Sequence, residues 1–145
     1  MKIENCKLKI KSGFTLIEIL VVVTIIVLLT AVAVISYSAF LKQSRDAKRK
    51  TDLGQISAAL EMYRSNSNTY PVGSVYATTL LVLTTPITYI QSLPTDPKSS
   101  SYSYYYTGTA SDYTIAAYLE GGGTTCVAGQ CGGNCNYCLG PYGIK

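Results

Sequence analysis

Lys11-Ser12-Gly13-Phe14-Thr15-Leu16-Ile17-Glu18-Ile19-Leu20-Val21-Val22-Val23 opens an apolar run that continues to Ile35. Between Phe14 and Ile35, only Thr15, Glu18, Thr24 and Thr30 are not plainly apolar. As an α-helix these twenty-two residues rise about 33 Å, enough to cross a hydrocarbon core of about 30 Å. A short, basic, polar segment precedes the run. A single carboxylate, Glu18, sits near its start, where a lone charge in hydrocarbon costs about 2.5–3.5 kcal/mol. The fold and the function both turn on why a membrane helix keeps it.

Two plainer readings compete. A cleaved secretory signal finds small residues at Ala31-Val32-Ala33 and Ser36-Tyr37-Ser38-Ala39, but the run is longer than a signal's apolar region and Glu18 interrupts it. An uncleaved signal anchor fits the length alone. Lysines before the helix and Lys42, Arg45, Lys48, Arg49 and Lys50 after it nearly balance, so flanking charge gives little orientation.

Composition narrows the classes. Of 145 residues, about 110 follow the run, enough for one small domain. The net charge is +4, of which residues 1–13 carry +3, so the basicity does not argue for nucleic acid as a partner. The chain has no histidine, which removes the commonest general base and most zinc and haem schemes. Thirteen tyrosines stand against two phenylalanines, a bias that calls for a sheet with polar tips on aromatic bodies.

The glycine, aromatic and glutamate at fixed spacing against a membrane helix resemble the N-terminal signature of type IV pilins and type II secretion pseudopilins. That resemblance covers about Lys11–Ile35. It implies that a prepilin peptidase cuts between Gly13 and Phe14, that the same enzyme N-methylates Phe14, and that Glu18 pairs with the N-terminal amine of a neighbouring subunit in a filament core. The alternative for Glu18 is a carboxylate favoured by the helix dipole or reaching back to the interface.

Downstream, Tyr37–Asn66 continues the helical pattern, and Leu53, Ile56, Leu60 and Tyr63 form a stripe suited to packing on a sheet. Lys42–Asp52 reads as a solvated face with an Asp46–Lys50 pair; a headgroup- or DNA-binding patch is the other reading. Gly54 marks a bend or a close contact. Ser65–Pro71 is helix-stop chemistry. A short helix is expected near Thr78–Leu83, and strands over Ser101–Thr107 and Tyr113–Glu120. Tyr70-Pro71 and Leu93-Pro94-Thr95-Asp96-Pro97 resemble the major pseudopilin pattern. Relatives of that kind often bind calcium beyond the sheet, but after Pro97 only Asp112 and Glu120 carry carboxylates, too few for a cation wanting six to eight oxygens.

Gly121-Gly122-Gly123 leads into Cys126-x4-Cys131-x3-Cys135-x2-Cys138. Zinc, an iron–sulfur cluster or a redox Cys135-x-x-Cys138 is one reading. Two disulfides are the other, in any of three connectivities, as an outward-facing domain favours.

The expectation is an α+β pilin-like subunit: a leader over 1–13, a transmembrane and assembly helix over 14–36, a globular domain over 37–120 and a Gly/Cys-rich tail over 121–145. It is a non-enzymatic subunit of a type IV pilus-like filament, with the major pseudopilin of a type II secretion system as the alternative. A membrane-anchored metal or redox module is a remote third reading. The resemblance implies as partners other copies of the chain, the prepilin peptidase and methyltransferase, an inner-membrane assembly platform, and the membrane before assembly. It places the globular domain outside the cytoplasmic membrane, with no catalytic residue, cofactor or metal.

Overall fold

The computed structural model describes residues 13–145, and at 34–36 the backbone alone. Apart from Gly13, the expected leader with Cys6 lies outside the described residues. The chain divides into two compact units, one ending at Ala39 and one running Phe40–Lys145, and helix α1 (Leu16–Ser67) contributes to both.

In the first unit, Leu16–Ala33 forms an 18-residue span of mean hydropathy 2.9 with none of it buried. An apolar surface all round a helix belongs in lipid or against other helices. Its two threonines satisfy their hydroxyls locally. The Thr24 hydroxyl donates to the Val21 carbonyl (2.8 Å) and the Thr30 hydroxyl to that of Ile26 (2.9 Å).

In the second unit the expected stripe is the core: Leu53, Ile56 and Leu60 are buried, with Tyr63 packed beside them, and Ala59 is buried among them. The helix stops where the Ser65–Pro71 chemistry predicts. Asn68 takes the left-handed conformation (φ 59°), and its N–H returns to the Arg64 carbonyl at 2.8 Å. Gly54 has open space around it, so it makes no close contact. Helix α2 (Tyr76–Thr79) and a 3-10 turn (Leu80–Leu83) follow, the latter burying Leu80 and Leu83.

Four antiparallel strands make the sheet in sequence order: β1 (Tyr105–Gly108), β2 (Tyr113–Ala117), β3 (Tyr137–Gly140) and β4 (Gly143–Ile144). The first two are the strands expected from the sequence, shorter at their outer ends. The last two come from the cysteine-rich segment, where no strand is expected. At the end of β1, Gly73 and Gly108 exchange N–H···O bonds of 3.1 and 2.8 Å. A side chain at Gly108 would run into the Pro71 carbonyl and the Tyr106 hydroxyl, which explains a glycine there.

Strand register gives the sheet two working faces. Tyr106, Ile115 and Leu139 form one cross-strand row and meet the helix. Tyr105, Ala116 and Cys138 form the adjacent row, on the other face. There Ala116, Cys131, Cys135 and Cys138 make a second small core, flanked by Tyr105, Tyr118 and Val127. The cysteine segment is therefore a covering layer as well as a stapled end.

Candidate assembly site

The start of α1 is closed by its own side chains. The Thr15 backbone N–H and hydroxyl both donate to Glu18 Oε2 at 3.0 Å, and the Glu18 N–H donates to the Thr15 hydroxyl at 3.3 Å. This is a reciprocal capping box, and Thr15-Leu16-Ile17-Glu18 is its sequence signature. Thr15 is thus the hydrogen-bond partner of Glu18 within its own helix start. Gly13 and Phe14 lie just before the helix, with Phe14 exposed.

In the Phe40–Lys145 unit the basic stretch of α1 is a solvated face only in part: Lys42, Lys48 and Lys50 are exposed, but Asp46, Arg49 and Asp52 are buried. The Arg49 side chain is fully buried; its Nε and Nη2 donate to Asp96 Oδ2 (2.7 Å) and Oδ1 (3.0 Å). Its Nη1 donates to Asp46 Oδ1 (2.8 Å) and Glu120 Oε1 (3.1 Å). Arg45 forks onto Glu120 with two bonds of 2.6 Å, and Lys98 reaches Glu120 Oε2 at 3.4 Å. Asp46 also accepts the backbone N–H groups of Glu120 (2.9 Å) and Gly121 (2.7 Å). The expected Asp46–Lys50 pair gives way to Asp46–Arg49 because Arg49 lies on the buried stripe, four residues before Leu53.

The charges set one another's protonation. Arg45, opposed in part by burial and aided by Arg49 and Lys98, holds the Glu120 carboxyl down to about 2. Burial alone would weaken the hold of Arg49 on its proton, but Asp96, Asp46 and Glu120 outweigh it and raise its affinity above the ordinary guanidinium value. Desolvating such groups offsets most of their mutual attraction. Their main effect is geometric: one guanidinium ties the helix, the Pro94–Pro97 turn and the segment that follows β2 into a single arrangement.

Tyrosine hydroxyls finish the same framework. Tyr104 donates to Asp52 Oδ2 (2.7 Å), Tyr106 to the Pro71 carbonyl (2.6 Å) and Tyr76 to the Pro94 carbonyl (2.7 Å). Tyr70 and Tyr113 meet edge to face with centroids 4.7 Å apart. Burial pushes the hydroxyls of Tyr76, Tyr104 and Tyr106 well above the usual range and that of Tyr113 up to about 12. Tyr102 precedes β1 and stacks on Tyr118, with ring centroids 4.6 Å apart.

All four clustered cysteines are oxidised. The bonds are nested, Cys126–Cys138 around Cys131–Cys135, with separations of 12 and 4 residues. A metal centre needs thiolates, which this pairing ties up, and a Cys135-x-x-Cys138 redox couple would join two cysteines that are here bonded elsewhere.

Comparison with known proteins agrees with both halves of this geometry. Residues 37–128 match the family model described as type II secretion system protein G, and residues 8–34 match the prokaryotic N-terminal methylation motif. The type II secretion system core protein G of Pseudomonas aeruginosa is 32% identical over 114 residues, covering 72% of this chain and 80% of the relative. The protein of the same name from Vibrio cholerae serotype O1 is 29% identical over 128 residues, covering 81% of this chain and 88% of the relative. No solved structure gives a significant match. The long apolar helix, the small antiparallel sheet and these matches together identify the chain as a member of the type II secretion system protein G family of pilin-like major pseudopilins.

Proposed function

We propose that this chain is the major pseudopilin of a type II protein secretion system, a structural subunit that polymerises and performs no catalysis. The observation that carries the reading is the protein G match across 37–128, directly behind an N-terminal methylation motif. The broader expectation of a surface type IV pilus yields to this one, because both relatives bear the protein G name. In this reading the prepilin peptidase removes residues 1–13 and methylates the new amine of Phe14. The chain waits in the cytoplasmic membrane with its globular unit outside, and an inner-membrane platform draws it into the filament.

Glu18 has a definite part in that sequence of events. The two Thr15 donors fall on Oε2 alone, which supports a role for Oε1 toward the Phe14 amine of the next subunit. Burying that pair neutralises two charges that hydrocarbon disfavours and sets the axial step between helices.

Deleting the gene in its native cell tests the proposal. Secreted proteins should accumulate inside the cell while any surface pili persist. Intact secretion with loss of surface pili would refute it.

A further inference from the structure

The two cores of the Phe40–Lys145 unit are built from different materials. Every buried member of the helix-side core lies at or before Ala117, and Tyr137 and Leu139 only pack against it. The cysteine-side core holds Ala116 from β2, and its other buried members are Cys131, Cys135 and Cys138. From Gly121 to Tyr137 the buried side chains are Cys131 and Cys135 alone, with Val127 half-buried. The segment therefore covers the outer face of β2 with half-cystines and little else.

Its backbone is held no more firmly. Among the described residues no helix or strand lies between β2 and β3. The ties are the short bridge of Val127 with Cys135 and the Asn136 side chain, which exchanges bonds of 2.6 and 2.9 Å with the Leu119 backbone. Gly129, Cys131 and Gly132 all take left-handed conformations (φ 70°, 63° and 77°). For Cys131, which carries a Cβ, that conformation is disfavoured unless something holds it. Ordering seventeen residues with so little burial costs more chain entropy than the buried surface returns. Cross-links alter that balance by removing conformations from the open chain.

We propose that forming the two disulfides is the step that closes this layer and seats β3 on β2, and that it precedes assembly of the subunit. With the four thiols reduced, residues 121–140 open as one local unit while the helix-side core stays folded. β2 then loses its pairs Ile115–Leu139, Ala116–Cys138 and Ala117–Tyr137 and becomes an edge strand. Such an edge, with unpaired N–H and C=O groups, is a template for wrong pairing between chains.

The reaction that must supply the assembly-competent subunit is a thiol oxidation by an external disulfide carrier. In each of two rounds a cysteine thiolate attacks the carrier's disulfide, and its partner thiolate then displaces the carrier from the mixed disulfide. The cysteine pair gives up two electrons and two protons, and the carrier leaves as a dithiol. The order, oxidation before polymerisation, rests on the filament reading; the local opening does not.

Amide exchange of the full chain in detergent, oxidised and after reduction by a phosphine, tests the opening. Peptides within 121–140 should exchange at least about a hundredfold faster once reduced, while Leu53–Leu60 and Tyr105–Gly108 change by less than about threefold. Unaltered exchange over 121–140 overturns the proposal, since the layer then holds itself. Faster exchange throughout also overturns it, since the bonds then support the whole subunit. The order is read in cells that hold the secretion apparatus, where the Cys126→Ser/Cys138→Ser chain should be processed to Phe14 yet absent from filaments. Filaments of that variant, or wild-type filaments whose subunits take up a thiol-alkylating tag, overturn the order. A fully oxidised wild-type chain that forms no filament refutes the filament reading instead, and with it the order, while the exchange result still decides the opening.

Discussion

Arg49 and Asp96, far apart in sequence, meet in a two-point ion pair in which both side chains have no solvent exposure, with bonds of 2.7 and 3.0 Å. Breaking one side of such a pair leaves a buried charge without its partner. Asp96→Asn or Arg49→Met should each destabilise the subunit by about 3–5 kcal/mol, and the double change Arg49→Met/Asp96→Leu by clearly less than the sum. Arg49→Lys should fare little better than Met, since an ammonium cannot fork. Denaturant unfolding of the detergent-solubilised chain measures all four.

Acid should attack the same cluster from Glu120. Its carboxyl is held down to about 2 in the folded chain against an ordinary 4.5, so the folded state binds the proton later than the unfolded state does. The stabilisation is complete above pH 4.5 and drains away as pH falls from there toward 2. Glu120→Gln should remove this acid-sensitive component, visible as a flatter stability profile over that window.

Alkali probes the tyrosines. A raised hydroxyl pKa means the unfolded chain loses its proton first, so stability is full below about pH 10 and declines above it. Absorbance titration across that range makes the measurement. Tyr76, Tyr104, Tyr106 and Tyr113 should resist until the chain unfolds. Tyr104→Phe should shorten the resistant group by one.

Non-reducing peptide mapping should find Cys126 joined to Cys138 and Cys131 to Cys135. Chain-entropy reasoning assigns about 3 kcal/mol to the outer bond and about 2 kcal/mol to the inner one. Paired Ser replacements should follow that order in thermal unfolding, and equal losses would contradict it.

Glu18→Ala should leave processing intact, with mass analysis still finding a chain that begins at N-methylated Phe14, while filament assembly fails. Thr15→Ala removes the hydroxyl half of the capping box but keeps the carboxylate. It should weaken assembly less. Normal filaments from Glu18→Ala would refute the pairing role.

The long-range partners were harder to read than the elements. Leu53, Ile56, Leu60 and Tyr63 announce their buried face by spacing alone, and Asn68 announces the helix end by its chemistry. The same stripe runs back through Arg49 to Asp46, but charged residues on it look like a wet surface until Asp96 and Glu120 are brought beside them. Spacing along the helix cannot supply those partners. Thr15 and Glu18 are legible as a capping box, a local motif embedded at the head of an apolar run. Strands β3 and β4 were hidden because Tyr137–Gly140 is short and interrupted by Cys138 and glycine. Its strand character comes from pairing with β2, and the disulfide that holds Cys138 is itself a product of the fold.

The alternation along β2 has a consequence for how this domain tolerates change. Tyr113, Ile115 and Ala117 serve the helix-side core while Ala116 serves the cysteine-side one, so the strand is read in two frames at once. Inserting or deleting one residue would exchange the two sets and spoil both cores together. The segment between Leu119 and Tyr137 touches only one of them, through Val127, Cys131 and Cys135. Variation in length should therefore gather there, leaving β2 as the fixed ruler against which the remainder of the domain is built.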